Sequence, residues 1–195
     1  TFFLQPNSGA VSRTPYFQSR LASAERNWFG SKKVGTIGIS GHYGRSKQPL
    51  GAPSAGNEVE SVGLAADWNI PLHERLILAG EAFIGRNLGG FQAGIFQGIN
   101  TDFAYRLGTS VRPAGARAIG TRGGWSQIGF TPDVLGDKLT LFASIGIDDP
   151  RDQDLSSLSQ TNFRTSNLVY AFNTVYKFTP QFSIGAEYRR FSTGY

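Results

Sequence analysis

Few residues of this 195-residue chain have the types and spacing that enzyme or zinc chemistry requires. The two histidines, His42 and His73, lie far apart and the chain has no cysteine, so a zinc site would lack nitrogen and sulfur ligands. Ser40 and His42 lie two positions apart and would share one face of a strand, as a hydrolase pair could. No acidic residue accompanies them in a recognisable pattern, so the sequence predicts no enzyme.

Two further segments have compositions that can bind phosphate or calcium. The glycine-rich stretch 89–98, GGFQAGIFQG, contains neither GxGxxG nor GK followed by Ser or Thr, and this excludes a phosphate-binding loop. Aspartate oxygens suit calcium, but the aspartates near residue 150 do not have EF-hand spacing and Arg151 dilutes their charge. We interpret them as a solvated acidic loop and predict no metal and no cofactor; they are Asp148, Asp149, Asp152 and Asp154.

Composition narrows the class of protein further. The net charge is only +5, and no block of Lys and Arg marks an arm that binds nucleic acid. Only 17% of the residues are charged, whereas 25 are glycine and 13% are aromatic, a mixture typical of β-rich proteins with many turns. No apolar run approaches the roughly 18 residues of a transmembrane helix.

Strict alternation of apolar and polar residues predicts strands. The clearest case is 139–147, LTLFASIGI, whose odd positions are all apolar and whose even positions are mostly polar or small. A tilted strand needs about 9–11 residues to cross a bilayer, which this segment provides. We predict a single all-β domain, residues 1–195, with strands at 16–24, 34–43, 59–70, 75–85, 121–130, 139–147, 163–178 and 182–189.

The connections between these strands alternate in length. Short turns at 30–33, 71–74, 131–138 and 179–181 alternate with long loops at 44–57, 86–118 and 149–162. Antiparallel up-and-down transmembrane β-barrels have this alternation and an aromatic girdle at the membrane interface. Aromatic residues do gather beside the short turns: Trp28, Trp68, Phe130, Tyr176, Phe178 and Phe182. A soluble β-sandwich remains the competing fold.

Both ends of the chain fall on the long-loop side of this arrangement. By analogy with complete single-chain barrels, whose two ends lie on the short-turn side, we expect at least one further strand at each end and a barrel of ten or more strands. An open sheet edge in lipid would leave backbone groups without partners.

Four segments resemble porin-like outer-membrane β-barrel proteins of Gram-negative bacteria. They are GEAFIGRNLGGFQAGIFQGIN (80–100), RAIGTRGGWSQIGF (117–130), GIDDPRDQDL (146–155) and NTVYKFTPQFSIGAEYRRF (173–191). The resemblance implies a passive outer-membrane pore for small hydrophilic solutes or ions, surrounded by lipid and lipopolysaccharide and forming a homotrimer. The alternative is a barrel or sandwich without an open lumen, which acts as a structural, adhesive or receptor surface or as a plugged transporter.

In such a barrel the polar sides of the strands face the lumen. Charged side chains there would line water and set ion preference, or would pair with one another and hold neighbouring strands together. The sequence places eight on this side: Arg20, His42, Asp67, Glu81, Asp148, Lys177, Glu187 and Arg189. We expect a slight preference for anions from the Arg and Lys residues.

The segment 86–118 is the longest one without periodicity, and such segments in compact domains tend to be functional. It is either a constriction loop inside the lumen or a flap over the barrel mouth. A constriction loop would be anchored by Phe91, Phe96, Phe103 and Tyr105 and would carry Asp102, Arg106, Arg112 and Arg117.

Overall fold

The structure is a computed structural model that describes residues 15–47, 58–91, 93–107, 110–156 and 162–195. Within these ranges single-turn 3-10 helices lie at 28–30, 89–91, 94–96 and 152–154, and no helix is long and apolar enough to span a membrane. The strands are β1 (Phe17–Arg26), β2 (Val34–Lys47), β3 (Glu58–His73), β4 (Leu76–Arg86), β5 (Ile99–Leu107), β6 (Ser110–Ala118), β7 (Gly120–Phe130), β8 (Leu139–Pro150), β9 (Ser166–Lys177) and β10 (Ser183–Gly194).

Eight of these strands form one antiparallel sheet in the order β1–β2–β3–β4–β7–β8–β9–β10. Each predicted strand corresponds to one strand of this sheet, so the all-β, antiparallel, eight-stranded prediction is confirmed. Several strands extend beyond their predicted ends, as β8 does to Pro150 and β10 does to Gly194. Within the described residues β1 and β10 are the two edges of the sheet, which is not closed into a barrel.

The prediction that 86–118 lacks regular structure was wrong. Strands β5 and β6 form a separate two-stranded sheet within it. Their pairing contains two register shifts, between Asn100 and Phe103 and between Phe103 and Ala104. A bulge inserts an unpaired residue and so interrupts the alternation of side chains between the two faces. The period-two signal is therefore absent from a segment that is nevertheless extended and paired.

The strand register divides the large sheet into two faces of different chemistry. Residues paired across an antiparallel ladder point to the same side, and side chains alternate sides along each strand. Leu21 pairs with Ile39, and Ile39 pairs with Ala66, which defines an apolar face. Arg20 pairs with Ser40, which defines a polar face. The apolar face exposes large side chains on all eight strands of the sheet: Leu21, Ile39, Leu64, Ile84, Ile128, Ile145, Ile147, Phe172 and Tyr188.

The sheet curves around its polar face. Gln18 on β1 and Asn167 on β9 line the same cavity although six strand-to-strand steps separate them. In a flat sheet with a strand spacing of about 4.8 Å, these positions would lie about 29 Å apart. The polar face is therefore concave and the apolar face is convex.

Most buried side chains lie near the ends of the strands that the long loops connect. Ile119 and Asn100 are fully buried there, and Leu88, Ala104 and Leu155 are each less than a tenth exposed. Asn100 donates side-chain hydrogen bonds to the carbonyl oxygens of Asp154 and Ser156, which fixes the start of β5 against the 152–156 segment. The packed core thus lies at one end of the sheet and holds the loops against the concave face.

Candidate functional site

The concave face encloses a trough of about 770 Å³, which is the candidate functional site. Side chains from seven strands line it, and the segment that follows β4 contributes Leu88, Phe91 and Ala93. Because the strands alternate their side chains, one face of the sheet supplies polar groups to the trough while the other presents apolar groups outward. The trough is wide enough to hold water or a small solute.

All eight side chains that the sequence assigned to the lumen lie on this concave face, although their role there stays a prediction. Arg20, His42, Glu81 and Asp148 line the trough itself. Asp67 lies beside Glu81 on the neighbouring strand. The remaining three lie nearer the short-turn end or the β10 edge: Lys177, Glu187 and Arg189.

Two ion pairs lie on this face: one joins two strands, and the other joins two residues of the same strand. Arg20 donates to both carboxylate oxygens of Asp67, at 3.0 and 2.5 Å, and so reaches across β2 from β1 to β3. Gly38 lies between them on β2, where a Cβ would come within 2.6 Å of the guanidinium and 2.7 Å of the carboxylate. The missing side chain at Gly38 therefore makes room for the pair. Glu187 forms an ion pair with Arg189 and accepts a hydrogen bond from Asn173.

His42 belongs to a buried hydrogen-bond chain and does not pair with Ser40. Its Nε2 lies 2.9 Å from Ser61 Oγ, and the Ser61 hydroxyl donates to the carbonyl oxygen of Asn87 at 2.9 Å. Since that hydroxyl proton is already used, Nε2 must donate to Ser61. The Ser61 side chain is 1% exposed, so it is a structural link between β2, β3 and the end of β4.

The segment 87–98 follows β4 and enters the concave face; residue 92 lies outside the described part. Leu88 lies over the paired glycines Gly63 and Gly85, with its methyl groups 3.0 Å from where each Cβ would be. The Phe91 ring stacks on His42 with 4.2 Å between the ring centroids. The Ile95 amide donates to Asp148 Oδ2 at 2.8 Å.

Near its end this segment is also tied to residue 164. The Gln97 side chain exchanges two 2.8 Å hydrogen bonds with the backbone of Arg164. The segment 87–98 is thus anchored from both sides of the trough.

The segment 86–118 divides into two parts with different contacts, and the choice between a constriction loop and a flap stays a prediction. Residues 87–98 line the trough, whereas the β5–β6 hairpin packs on the 152–156 segment. Of the predicted anchors, Phe91 lies in the trough but Phe96 is two-thirds exposed. The side chains of Phe103, Tyr105, Asp102, Arg106 and Arg112 lie outside the described part.

Arg117, the fourth predicted constriction residue, contacts Asp154. Its guanidinium lies 2.7 Å from Asp154 Oδ1, and the other carboxylate oxygen accepts the Gly120 amide at 2.9 Å. Asp154 is 4% exposed, so the interpretation of the aspartates as a solvated loop was wrong for this residue. Its charge is buried because Arg117 and a backbone amide compensate it. Among the described residues no group of three or more His, Cys, Asp or Glu side chains could hold a metal ion.

The charge balance of the trough differs from the one that the sequence suggested. Its lining contains Arg20, Glu81 and Asp148, and Arg20 is already paired with Asp67. Asp148 accepts hydrogen bonds from neutral donors, the Ile95 amide and the Thr121 hydroxyl, which leave its charge in place. Two carboxylates, Glu81 and Asp148, thus remain without a cationic partner in the described lining.

Sequence reasoning did not identify the contacts of two residues on the concave face. Trp125 lies on the concave face, with Glu81 and Gly146 as its paired neighbours. Residues two positions apart on a strand share a face, so the alternation along β7 was the available signal for Trp125. The hydrogen bonds of Ser61 had no comparable signal, because its partners His42 and Asn87 are 19 and 26 positions away in the chain.

The fold and the trough define an open, curved antiparallel sheet with an apolar convex face and a polar concave face. No family model, no curated protein and no solved structure matches this chain. The interpretation of its function therefore depends on the geometry and the chemistry of its own residues.

Proposed function

We propose that this sheet is part of the wall of a porin-type β-barrel in the bacterial outer membrane. The barrel lets small hydrophilic solutes or ions diffuse along its concave face, and lipid and lipopolysaccharide surround its convex face. The homotrimer that the resemblance implies stays a prediction.

One observation carries the proposal, namely the distribution of apolar and polar side chains between the two faces. On the convex face Leu21 is 73% exposed, Leu64 is 67% exposed and Phe172 is 60% exposed. Large apolar side chains exposed over a continuous surface usually mark a surface that another apolar phase covers. The concave face carries the trough with Arg20, Glu81 and Asp148, whereas the charged residues Arg122, Asp149 and Arg190 of the convex face lie toward the long-loop ends of their strands. Transmembrane barrels have this arrangement, with apolar side chains outward and polar side chains inward.

The short-turn end supports the same proposal. Tyr176, Phe178 and Phe182 cluster at the β9–β10 turn, with ring centroids 4.8 and 5.5 Å apart. Phe182 is 60% exposed and Phe178 is 49% exposed. Aromatic rings exposed at strand ends suit the interface between hydrocarbon and water. In lipid the β1 and β10 edges also need partners, because each unpaired backbone group in hydrocarbon costs several kcal/mol, on the order of 2–7 kcal/mol.

The test is planar-bilayer conductance of the full-length gene product under a salt gradient. Stepwise openings are expected, and the sign of the reversal potential reports the preferred ion. Full-length protein that inserts into vesicles but never conducts would overturn the open pore. Protein that stays soluble without detergent and fails to insert would overturn the barrel and support a β-sandwich.

A plugged or non-conducting barrel is the second candidate, and the segment 87–98 favours it. This segment occupies part of the trough and is held by Leu88, Phe91 and Ile95. Conductance distinguishes the two candidates, since a segment that only narrows the lumen leaves a measurable current and one that seals it leaves none.

A further inference from the structure

We propose that the trough contains a binding site for organic cations, in which the Glu81 carboxylate and the Trp125 indole hold an ammonium group. The inference deepens the proposed function by naming a solute class, and its role in transport rests on that proposal.

The first step concerns the charge of Glu81. This residue lines the trough and makes no hydrogen bond or ion pair with any residue of the described ranges. Its neighbour on β3 is Asp67, whose charge Arg20 already compensates. A partly buried carboxylate without an internal counterion attracts a cation from solution.

The second step concerns the aromatic groups beside it. Trp125 is the directly paired neighbour of Glu81 on β7, and such pairs hold their Cβ atoms about 4.5–5.5 Å apart on the same face. Trp125 lines the trough and is 46% exposed. Phe83 extends over Gly123, with its Cζ 2.6 Å from where a Cβ would be, and so lies next to Trp125 on the same face.

The third step concerns the space around the indole. On the far side of Trp125 the paired residue is Gly146, so no side chain stands there to fill the trough. A Cβ at Gly146 would meet only the Trp125 Cβ and the Gly124 carbonyl oxygen, at 3.5 and 3.6 Å. The ring therefore has free volume beside it in which a ligand can lie.

This combination suits an alkylated ammonium ion better than a sugar or an anion. An aromatic face attracts a cation through its quadrupole, and an adjacent carboxylate supplies the opposite charge. A sugar hydroxyl can also donate to the Glu81 carboxylate, but a neutral sugar leaves the carboxylate charge uncompensated, whereas an ammonium ion neutralises it. An anion would be repelled by Glu81 and Asp148.

The test is calorimetric titration of the full-length protein in detergent micelles with choline and with its neutral isostere 3,3-dimethylbutan-1-ol. We expect choline to bind about tenfold more tightly than the isostere, since a cation–π contact with the half-exposed indole supplies about twofold and the adjacent Glu81 carboxylate supplies the remaining factor of about five. Glu81→Gln should weaken the binding of choline about five- to tenfold and leave the affinity for the isostere unchanged. Glu81→Asp should weaken choline binding less than Glu81→Gln does. Trp125→Leu should weaken both probes.

The matched control is Glu187→Gln, which removes the same charge from the concave face outside the trough lining and should leave choline affinity unchanged. Equal binding of the two probes, tighter binding of maltose than of choline, or an unaltered affinity in Glu81→Gln would overturn the site. Conductance without choline binding refutes the site and leaves the pore standing. Choline binding without conductance refutes the pore and leaves the site standing.

Discussion

The buried carboxylate of Asp154 should stabilise the core at the long-loop end of the sheet. It connects three parts of the chain: the 152–154 turn that carries it, the start of β7 through the Gly120 amide, and the end of β6 through Arg117. Both Asp154 and Gly120 are buried, whereas the Arg117 side chain is 43% exposed. Asp154→Ala removes both acceptors, and Asp154→Asn keeps one carbonyl oxygen for the amide while removing the charge.

The magnitude follows from these two partners. A buried amide left without an acceptor costs about 1–3 kcal/mol. Loss of an ion pair with a half-exposed arginine adds about 0–1 kcal/mol. We therefore expect Asp154→Ala to lower the free energy of unfolding by about 1–4 kcal/mol and Asp154→Asn to lower it by about 1 kcal/mol.

The assay is guanidinium unfolding of the full-length protein in detergent micelles, followed by tryptophan fluorescence. The free energies of unfolding are compared between variants that have the same m-value. The matched control is Asp149→Ala, which removes a more exposed carboxylate whose partner Arg122 is 75% exposed. This control should cost less than about 1 kcal/mol. If Asp154→Ala is no more destabilising than Asp149→Ala, or if Ala and Asn at 154 have the same effect, the buried amide does not depend on this carboxylate and the reasoning fails.

Three further predictions concern the convex face and the segment 87–98. Ile145→Lys on the convex face should make the free energy of insertion into lipid vesicles less favourable by about 2–4 kcal/mol. Ser144→Lys on the concave face should change this free energy little, and equal effects of the two substitutions would contradict a lipid-covered convex face. Gly85→Ala should cost about 1–3 kcal/mol in guanidinium unfolding and expose 87–98 to proteolysis, because its Cβ would overlap the Val62 carbonyl oxygen and Leu88. The control is Gly90→Ala, where a Cβ would meet open space and the free energy of unfolding should change little. Equal effects of the two substitutions would refute the packing of Leu88 against Gly85. Phe91→Ala should raise the single-channel conductance, since the ring lines the trough, and should lose about 0.5–1.5 kcal/mol of stacking with His42; an unchanged conductance would show that the ring does not narrow the path.

The sequence alone was sufficient to predict the eight strands of the large sheet and to predict which of their side chains share the polar face and which share the apolar face. Alternation along a strand is a local property of the backbone, so the parity of a residue such as Glu81 or Leu64 can be read without any partner strand. Pairing then keeps that parity across the sheet, which is why all eight predicted inward residues share one face. The alternation did not predict the hairpin β5–β6, because its bulges interrupt the same local signal.

Only the tertiary structure decided which side chains meet. The contact of Arg20 with Asp67 depends on a glycine between them on β2, and the links from His42 through Ser61 to Asn87 join residues far apart in the chain. The entry of 87–98 into the concave face likewise depends on the curvature of the sheet and on two glycines that register brings together. Contacts of this kind are set by register and curvature over many residues, and no short stretch of sequence contains that information.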